Sequence, residues 1–379
     1  MKKVGIVLLL ISIILLAGGF LLMKRRVMQP VTKPVHELQE EIPLEIKIGQ
    51  MIVIGYCNVE PFKESIYKDV ENNRISGLIF YKRDIKSPNE ILNKINNLKA
   101  INKKYPLFMV VDQEGGLVSR IANDNGYQTY PSAVNIAKKH TSKEAYQIYS
   151  NMARDLKKSG FNFNLAPCVD TITNKNSFMS MRQRSYGNNP ETVYKYSVEF
   201  IKAHSDNGII TTLKHFPGTG NAVFDSHKTL PDITNTWKES ELIPFNKIIK
   251  EFPDEPVMIG HVFNKKIDDK YISSLSEKTI NMLSTVKHEG VVVADAYDMD
   301  AVNKYSIDEI LIKAINSGVN LFIFPNHSPY ENDLRLNMKP EEFIRIVKTA
   351  VYNGLIPEEK ISSSYDKIIL LKKTFIKEK

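Results

Sequence analysis

Two short motifs, fourteen residues from end to end, hold side chains that could do acid–base chemistry. The segment Lys214–Gly220 reads KHFPGTG, and DSH follows it at positions 225–227. Asp225 and His227 are two positions apart, a spacing that places both side chains on one side of an extended loop. A carboxylate that holds one imidazole nitrogen fixes the tautomer and raises the basicity of the other nitrogen. The pair could therefore act as a general acid and base near neutral pH, although a surface turn with a chance Asp and His is the plainer alternative.

Three more polar side chains directly follow apolar runs. Asp295 comes after the run GVVVA at positions 290–294. A carboxylate that ends so apolar a run needs a hydrogen bond, a metal or a function, and in an active site it would be a nucleophile or a base. Lys214 and His215 follow the run GIITTL at 208–213. They could donate hydrogen bonds to the oxygens of a ligand, or could simply be solvated.

A second candidate binding segment begins at Asp112. The sequence DQEGGLVSR runs from Asp112 to Arg120, and its two glycines allow the backbone to turn so that Arg120 reaches Asp112. One of these side chains accepts hydrogen bonds and the other donates them, so together they could hold a diol. A plain ion pair at a rim would use the same residues. Arg184 lies in a long loop, where an arginine is usually solvated.

The positions of these side chains depend on a repeated pattern of strands and helices. Eight apolar runs of strand length recur, and most of them are followed by helical periodicity: 51–56, 77–81, 107–111, 161–166, 209–213, 256–260, 291–294 and 321–324. The segment 365–375 is typical of a closing helix. The pattern predicts an α/β fold, a (β/α)₈ TIM-type barrel, with a doubly wound open sheet as the alternative. The barrel is favoured because polar residues follow many different strands, as its active-site face requires: Asp112, Lys214, His215, His261, Asp295 and Asn326.

The N-terminus predicts a membrane anchor before this catalytic domain. An uncharged apolar run at 4–23 lies between two basic clusters within residues 1–26, and twenty helical residues span roughly the 30 Å of a bilayer core. A cleaved signal peptide is the alternative, although no Ala-x-Ala site is present. Residues 27–43 are predicted to be a linker, and 44–379 to be a single catalytic domain.

Composition adds few restrictions. The net charge of +8 is spread through the chain without an aromatic-interleaved basic block, so no nucleic-acid partner is expected. Two cysteines in a domain of this size do not form a disulfide framework.

Five motifs in order give the chain a family resemblance. They are DQEGG at 112–116, RSYG at 184–187, KHFPG at 214–218, DSH at 225–227 and VAD at 293–295. Together they resemble the β-N-acetylglucosaminidase branch of glycoside hydrolase family 3, and the similarity covers residues 44–379.

The resemblance implies a role for each motif. It implies that Asp295 is the catalytic nucleophile, that His227 is the general acid/base and that Asp225 orients His227. It also implies that five residues hold the sugar in the −1 subsite: Asp112, Arg120, Arg184, Lys214 and His215. Other branches carry a carboxylate acid/base on a second domain. The chain ends where the barrel is expected to end, so a barrel-borne group such as His227 is expected instead.

The chain also departs from the family pattern. Thr219 stands where relatives commonly have histidine, Leu117 where many have arginine, and Ala294 where Ser or Thr usually precedes the nucleophile. These changes remove no catalytic group, but those at Leu117 and Thr219 could alter substrate preference.

The expected activity is retaining hydrolysis of terminal β-linked N-acetylglucosamine, with no cofactor or metal, by a monomer. The anchor points to peptidoglycan or muropeptides outside the cytoplasmic membrane as the substrate. Three alternatives stay open: a phosphorylase of the same family, a catalytically silent wall-sugar-binding protein, and metal-dependent hydrolysis. The metal alternative would use histidine and aspartate ligands: His215, Asp225, His227 and His261.

Overall fold

The structure, a computed structural model, describes residues 42–376 except residues 60, 102–103, 227 and 327–335. The predicted anchor at 1–26, nearly all of the predicted linker and the candidate acid/base His227 lie outside the described residues. Among the helices that are described, none combines the length and the apolar composition needed to cross a membrane.

Short strands and longer helices alternate along the described chain. The strands are β1 Ile52–Gly55, β2 Gly77–Phe80, β3 Phe108–Val111, β4 Phe163–Asn164, β5 Leu213–Phe216, β6 Val257–Ile259, β7 Val292–Ala294 and β8 Phe322–Phe324. The helices are α1 Leu44–Gly49, α2 Phe62–Glu71, α3 Pro88–Ile101, α4 Ala133–Lys139, α5 Ser142–Lys158, α6 Phe178–Met181, α7 Pro190–Asp206, α8 Leu242–Glu251, α9 Glu277–Thr285, α10 Ile307–Ser317, α11 Pro340–Tyr352 and α12 Glu358–Phe375. Short 3₁₀ helices lie in the loops: Lys82–Asp84, Asn123–Asn125, Glu239–Glu241, Ser273–Leu275 and Asp300–Val302.

Local sequence explains where the helices begin and end. Thr141 and Glu144 form a reciprocal capping box at the start of α5, since the Thr141 N–H donates to Glu144 Oε2 at 2.7 Å. The helix α10 begins after Ser306, whose hydroxyl accepts from the Glu309 N–H. It ends at Ser317 and is followed by Gly318, which has φ of 110°. A residue with a Cβ atom would be strained in that left-handed conformation, so glycine is the favoured residue there.

The strands form two sheets in which every ladder is parallel. One sheet has the order β4-β3-β2-β1-β8 and the other β5-β6-β7. Isolated parallel bridges join the sheets: Phe163 with Ile210 and Cys168 with Lys214 on one side, and Val293 with Leu321 on the other. All strand residues are buried, as expected for parallel strands covered by helices. The architecture is therefore a TIM-like α/β fold.

The predicted fifth strand is wrong in position. Positions 209–213 were predicted as the strand, but β5 begins at Leu213 and itself contains Lys214 and His215. Before Leu213 the backbone bonds to the β4 region, for example from the Ile210 N–H to Asn162 O at 2.9 Å. The ladder with β6 starts only at Leu213 and is irregular up to Phe216. Pairing with β6, rather than apolar character, thus determines where β5 begins. This pairing places Lys214 and His215 inside the strand.

Candidate active site

A cavity of about 620 Å³ lies at the carboxyl ends of the strands. Seven of the eight site residues predicted from the sequence line it: Asp112, Arg120, Arg184, Lys214, His215, Asp225 and Asp295. The eighth, His227, is not among the described residues. The fold therefore brings side chains from β5 and from the loops after β3, β4, β5 and β7 to one space.

The floor of the cavity is a buried ionic network centred on Lys214. Its Nζ lies 2.9 Å from Asp112 Oδ1 and 2.7 Å from Glu114 Oε1, and its side chain is only 3% exposed. Burial alone would lower the pKa of Lys214, but the two carboxylates raise it above its usual value. Burial likewise opposes ionisation of Asp112, yet Lys214 and Arg120 hold the pKa of that carboxyl below its usual value. Lys214 and Asp112 are therefore both charged at neutral pH.

Arg184 is paired, contrary to the expectation for a loop arginine. Its Nε and Nη2 donate to the two oxygens of Glu114 at 2.9 and 2.8 Å, a bidentate arrangement. Burial alone would raise the pKa of Glu114, but Arg184 and Lys214 lower it well below its usual value. The Arg184 loop is held in turn by Ser185, whose hydroxyl donates to Asp170 O at 2.6 Å. Arg184 is thus fixed with its guanidinium at the cavity.

The approach of Arg120 to Asp112, expected from the glycine turn, is confirmed. Gly115 and Gly116 have φ of 95° and 62°, in the left-handed region that glycine favours. Arg120 Nη2 lies 3.4 Å from Asp112 Oδ2, and the guanidinium carbon lies 5.5 Å from the centre of the Tyr81 ring. These two contacts place the donor groups of Arg120 beside the acceptor oxygens of Asp112 on the cavity wall.

His215 is oriented by a buried aspartate that the sequence reasoning missed. Its Nδ1 lies 2.8 Å from Asp170 Oδ2, and the other oxygen accepts from the Thr219 N–H at 2.6 Å. Nε2 lies 3.3 Å from Arg184 Nη2, which can only donate. His215 therefore carries its proton on Nδ1. Burial opposes the ionisation of Asp170, but His215 lowers its pKa.

Asp295 projects from the turn that follows β7. Its N–H donates to Ile259 O at 3.1 Å, which ties the turn to β6. Its carboxylate oxygen Oδ1 accepts from the Ala296 N–H at 2.8 Å. The side chain is half-buried and lines the cavity. An oriented carboxylate facing a cavity can act as a nucleophile.

The loop that carries Asp225 is fixed at its base. Trp237 Nε1 donates to Pro217 O at 2.9 Å, and Asn221 Nδ2 donates to Glu241 Oε1 at 2.9 Å. At its far end the loop contacts the β7 side of the cavity, because the Ala301 N–H donates to Ser226 O at 3.2 Å. The segments that carry Asp225 and Asp295 therefore meet at the cavity.

His215 belongs to a group of three side chains whose types could ligate a metal ion. The donor atoms of Cys168, Asp170 and His215 are within 4.8 Å of one another. They bond to each other, since Cys168 Sγ also donates to Asp170 Oδ2 at 3.2 Å. Burial raises the pKa of the Cys168 thiol, which disfavours the thiolate that binds metals. Asp225 and His261, two ligands of the metal alternative, are not in this described cluster.

The three departures from the family pattern have different surroundings. Leu117 lines the cavity and is 64% exposed, at its mouth. Thr219 is buried, and both its N–H and its hydroxyl donate to Asp170. Ala294 is buried within β7. Of the three, Leu117 is the one exposed at the cavity.

Two carboxylates that contact the cavity residues, Glu114 and Asp170, were not singled out from the sequence. Glu114 lies inside the DQEGG motif, so the motif itself was the available signal. Asp170 lies in the segment after β4, where no motif was recognised. Its role follows only from long-range contacts with His215 and Thr219.

Comparisons with known proteins identify the family of the chain. The family model described as the Glycosyl hydrolase family 3 N terminal domain matches residues 43–371. Beta-hexosaminidase A of Pseudoalteromonas piscicida is 28% identical over 328 residues, covering 79% of this chain and 53% of the relative. An uncharacterized secreted glycosyl hydrolase of Arthroderma benhamiae is 27% identical over 309 residues, covering 78% of this chain and 86% of the relative.

A solved structure is similar in both sequence and fold. The glycoside hydrolase family 3 beta-N-acetylglucosaminidase from Paenibacillus sp. str. FPU-7 is 28% identical, with a TM-score of 0.77. The match covers 88% of this chain and 62% of the Paenibacillus chain. The chain thus spans about half of the Pseudoalteromonas relative and less than two thirds of this structure.

Proposed function

The chain belongs to glycosyl hydrolase family 3, and from that premise we propose that it is an exo-β-N-acetylglucosaminidase. The substrate proposed is terminal β-linked N-acetylglucosamine of peptidoglycan or muropeptides. The observation that carries the proposal is the meeting of two loops at one cavity: Ser226 O accepts from the Ala301 N–H beside the segments that carry Asp225 and Asp295. The names of the Pseudoalteromonas and Paenibacillus proteins support the substrate class.

The proposed first step forms a covalent sugar. A carboxylate oxygen of Asp295 attacks the anomeric carbon, and the glycosidic carbon–oxygen bond breaks. His227 gives its proton to the departing oxygen. In the second step His227 takes a proton from water, the water oxygen attacks the anomeric carbon, and the Asp295 carboxylate leaves. The anomeric configuration is retained because the two displacements invert it twice.

The charged floor would hold the terminal sugar during both steps. Arg120, Lys214 and Arg184 present donors, and Asp112 presents an acceptor, on the wall of the same cavity. Because Lys214 and Asp112 bond to each other, they are already oriented before a ligand arrives. Asp225 would orient His227 from within the same loop.

The same proposal covers the parts of the chain around the site. We propose that the eight strands form a closed (β/α)₈ barrel, which the bridges between the two sheets support.

We also propose residues 1–26 as an anchor and 27–43 as a linker, with a monomeric catalytic domain 44–379 outside the cytoplasmic membrane. The secreted relative from Arthroderma supports an extracytoplasmic location.

The proposal is tested by assaying the full-length protein on p-nitrophenyl β-N-acetylglucosaminide. We expect release of p-nitrophenol together with free N-acetylglucosamine, in phosphate buffer as well as in buffer without phosphate. N-Acetylglucosamine 1-phosphate as the product would instead identify a phosphorylase. Saccharide binding without any turnover would identify a silent sugar-binding protein.

His227→Ala is expected to separate substrates by leaving group. Loss of the proton donor should lower kcat/KM by roughly 10²–10⁴-fold for phenyl or saccharide leaving groups, which need protonation. Activated 2,4-dinitrophenyl leaving groups depart without it, so kcat/KM for that substrate should change little. Steady-state kinetics on a series of aryl N-acetylglucosaminides measures the difference. Equal losses across the series would rule out the acid role.

A further inference from the structure

We propose that His261 is a positioning residue for Asp295, an inference that rests on the proposed function. His261 follows β6, which is the strand next to β7, and its side chain is buried at the cavity wall. Its Nε2 lies 3.1 Å from Asp295 O and 3.0 Å from Ala296 O. One ring nitrogen therefore holds two successive carbonyl groups of the turn that presents the nucleophile.

The tautomer of His261 follows from its partners. The oxygens of these two carbonyl groups can only accept a hydrogen bond, so Nε2 carries a proton. In a neutral ring with this tautomer Nδ1 is an acceptor, and it lies 2.7 Å from the hydroxyl of Ser274. Ser274 is buried in the short helix Ser273–Leu275 and is placed to donate. The serine therefore fixes the tautomer that the two carbonyls need.

The hydrogen bond to Asp295 O acts on the carboxylate through a single peptide plane. The peptide between Asp295 and Ala296 has its carbonyl held by His261 and its N–H donated to Asp295 Oδ1 at 2.8 Å. A peptide is planar, so fixing its carbonyl also fixes the direction of its N–H. His261 thus determines where the N–H that orients the nucleophile points. Without that hydrogen bond the plane could rotate and the carboxylate would lose its orientation.

The surroundings keep His261 itself in place. The Tyr297 ring packs against the imidazole with 5.1 Å between ring centres. The Tyr297 N–H donates to Ile323 O at 3.3 Å, which ties the end of the turn to β8. The turn after β7 is thus held from β6 by His261 and from β8 through Tyr297. A nucleophile that must approach an anomeric carbon closely gains rate from such fixed orientation.

The test compares four variants of the full-length protein on 2,4-dinitrophenyl β-N-acetylglucosaminide. His261→Phe keeps a ring but removes both nitrogens, and we expect kcat to fall roughly 100-fold with KM nearly unchanged, because the sugar-binding groups are untouched. His261→Gln keeps an amide donor near the position of Nε2 and should recover kcat to within about tenfold of wild type. Ser274→Ala should lie between the wild type and His261→Phe.

His288→Phe is the matched control. His288 also bonds through Nε2 to a backbone carbonyl, Glu255 O at 2.9 Å, but at the opposite ends of the strands. It should keep wild-type kcat, and circular dichroism should show all variants folded.

Two results would overturn the inference. The first is a His261→Phe enzyme with wild-type kcat, and the second is a folded His261→Gln enzyme as slow as His261→Phe. If His261→Phe does not fold, His261→Gln and Ser274→Ala decide, and wild-type rates in Ser274→Ala then count against the proposal. An inactive wild type would instead remove the proposed function, and this inference with it.

Discussion

Asp295→Ala is expected to lower kcat on p-nitrophenyl β-N-acetylglucosaminide by roughly 10⁴-fold or more. The carboxylate forms the bond to the anomeric carbon in the proposed mechanism, and alanine offers no atom to replace it. KM should change much less, because the residues proposed to hold the sugar belong to β5 and to the loops after β3 and β4. Azide added to the variant should restore part of the turnover by entering the vacated space, and should give the α-glycosyl azide.

Asp300→Ala is the matched control in the same loop. Asp300 is exposed, and its Oδ1 accepts from Asn303 Nδ2 at 2.7 Å. This variant should keep wild-type kinetics. An Asp295→Ala enzyme with nearly full activity, or an Asp300→Ala enzyme as inactive as Asp295→Ala, would contradict the assignment of the nucleophile.

Lys214→Met is expected to cost both activity and stability. The substitution leaves Asp112 without one of its two cations and Glu114 without one of its two, in a site that excludes most solvent. Removing one partner of a buried ionic group costs about 3–5 kcal/mol. We expect that loss in the free energy of unfolding at pH 7, measured by urea denaturation, and at least a roughly 100-fold loss of kcat/KM.

The stability loss in Lys214→Met should depend on pH in a defined direction. In the wild type the pKa of Glu114 is held well below its usual value, despite burial, by Arg184 and Lys214. Its contribution to stability is therefore complete above the unfolded pKa of about 4.3 and lost only as pH falls through the lower folded pKa. Without Lys214 that folded pKa rises, so the deficit should be largest near pH 7 and should shrink toward pH 4 as pH falls through the raised folded pKa of the variant.

An exposed ion pair provides the control for Lys214→Met. Lys68 Nζ lies 2.9 Å from Glu64 Oε1, but both side chains are 65% exposed. Lys68→Met should not measurably change stability at either pH, because water screens the pair. A Lys214→Met protein as stable as Lys68→Met at pH 7 would show that Lys214 does not stabilise the folded state through the buried carboxylates.

Much of the fold was predictable because buried parallel strands are continuously apolar. The runs at 77–81, 107–111 and 291–294 each coincide with a strand to within one residue at either end. The run at 209–213 failed because pairing with β6, which is a long-range contact, decides where β5 begins. Apolar character alone does not identify which neighbour a segment pairs with.

The candidate site residues that follow apolar runs or lie in recognisable motifs were predictable from the sequence. Asp112, Lys214 and Asp295 were found because each follows an apolar run, and the structure places them around one cavity. The pairing of Arg184 with Glu114 was not predictable, since 70 residues separate the two. The same holds for Asp170 beneath His215, because a buried carboxylate shows its role only through the partners that the fold supplies.

The most direct test of the account is to trap the sugar on the enzyme. A fluorinated N-acetylglucosaminyl substrate with a good leaving group slows hydrolysis of the covalent intermediate more than its formation, and proteolysis with mass spectrometry then locates the sugar. We predict a single labelled peptide spanning residues 290–300, with the sugar on Asp295. Turnover of the normal substrate with the label on another residue, or with no covalent label, would contradict the account.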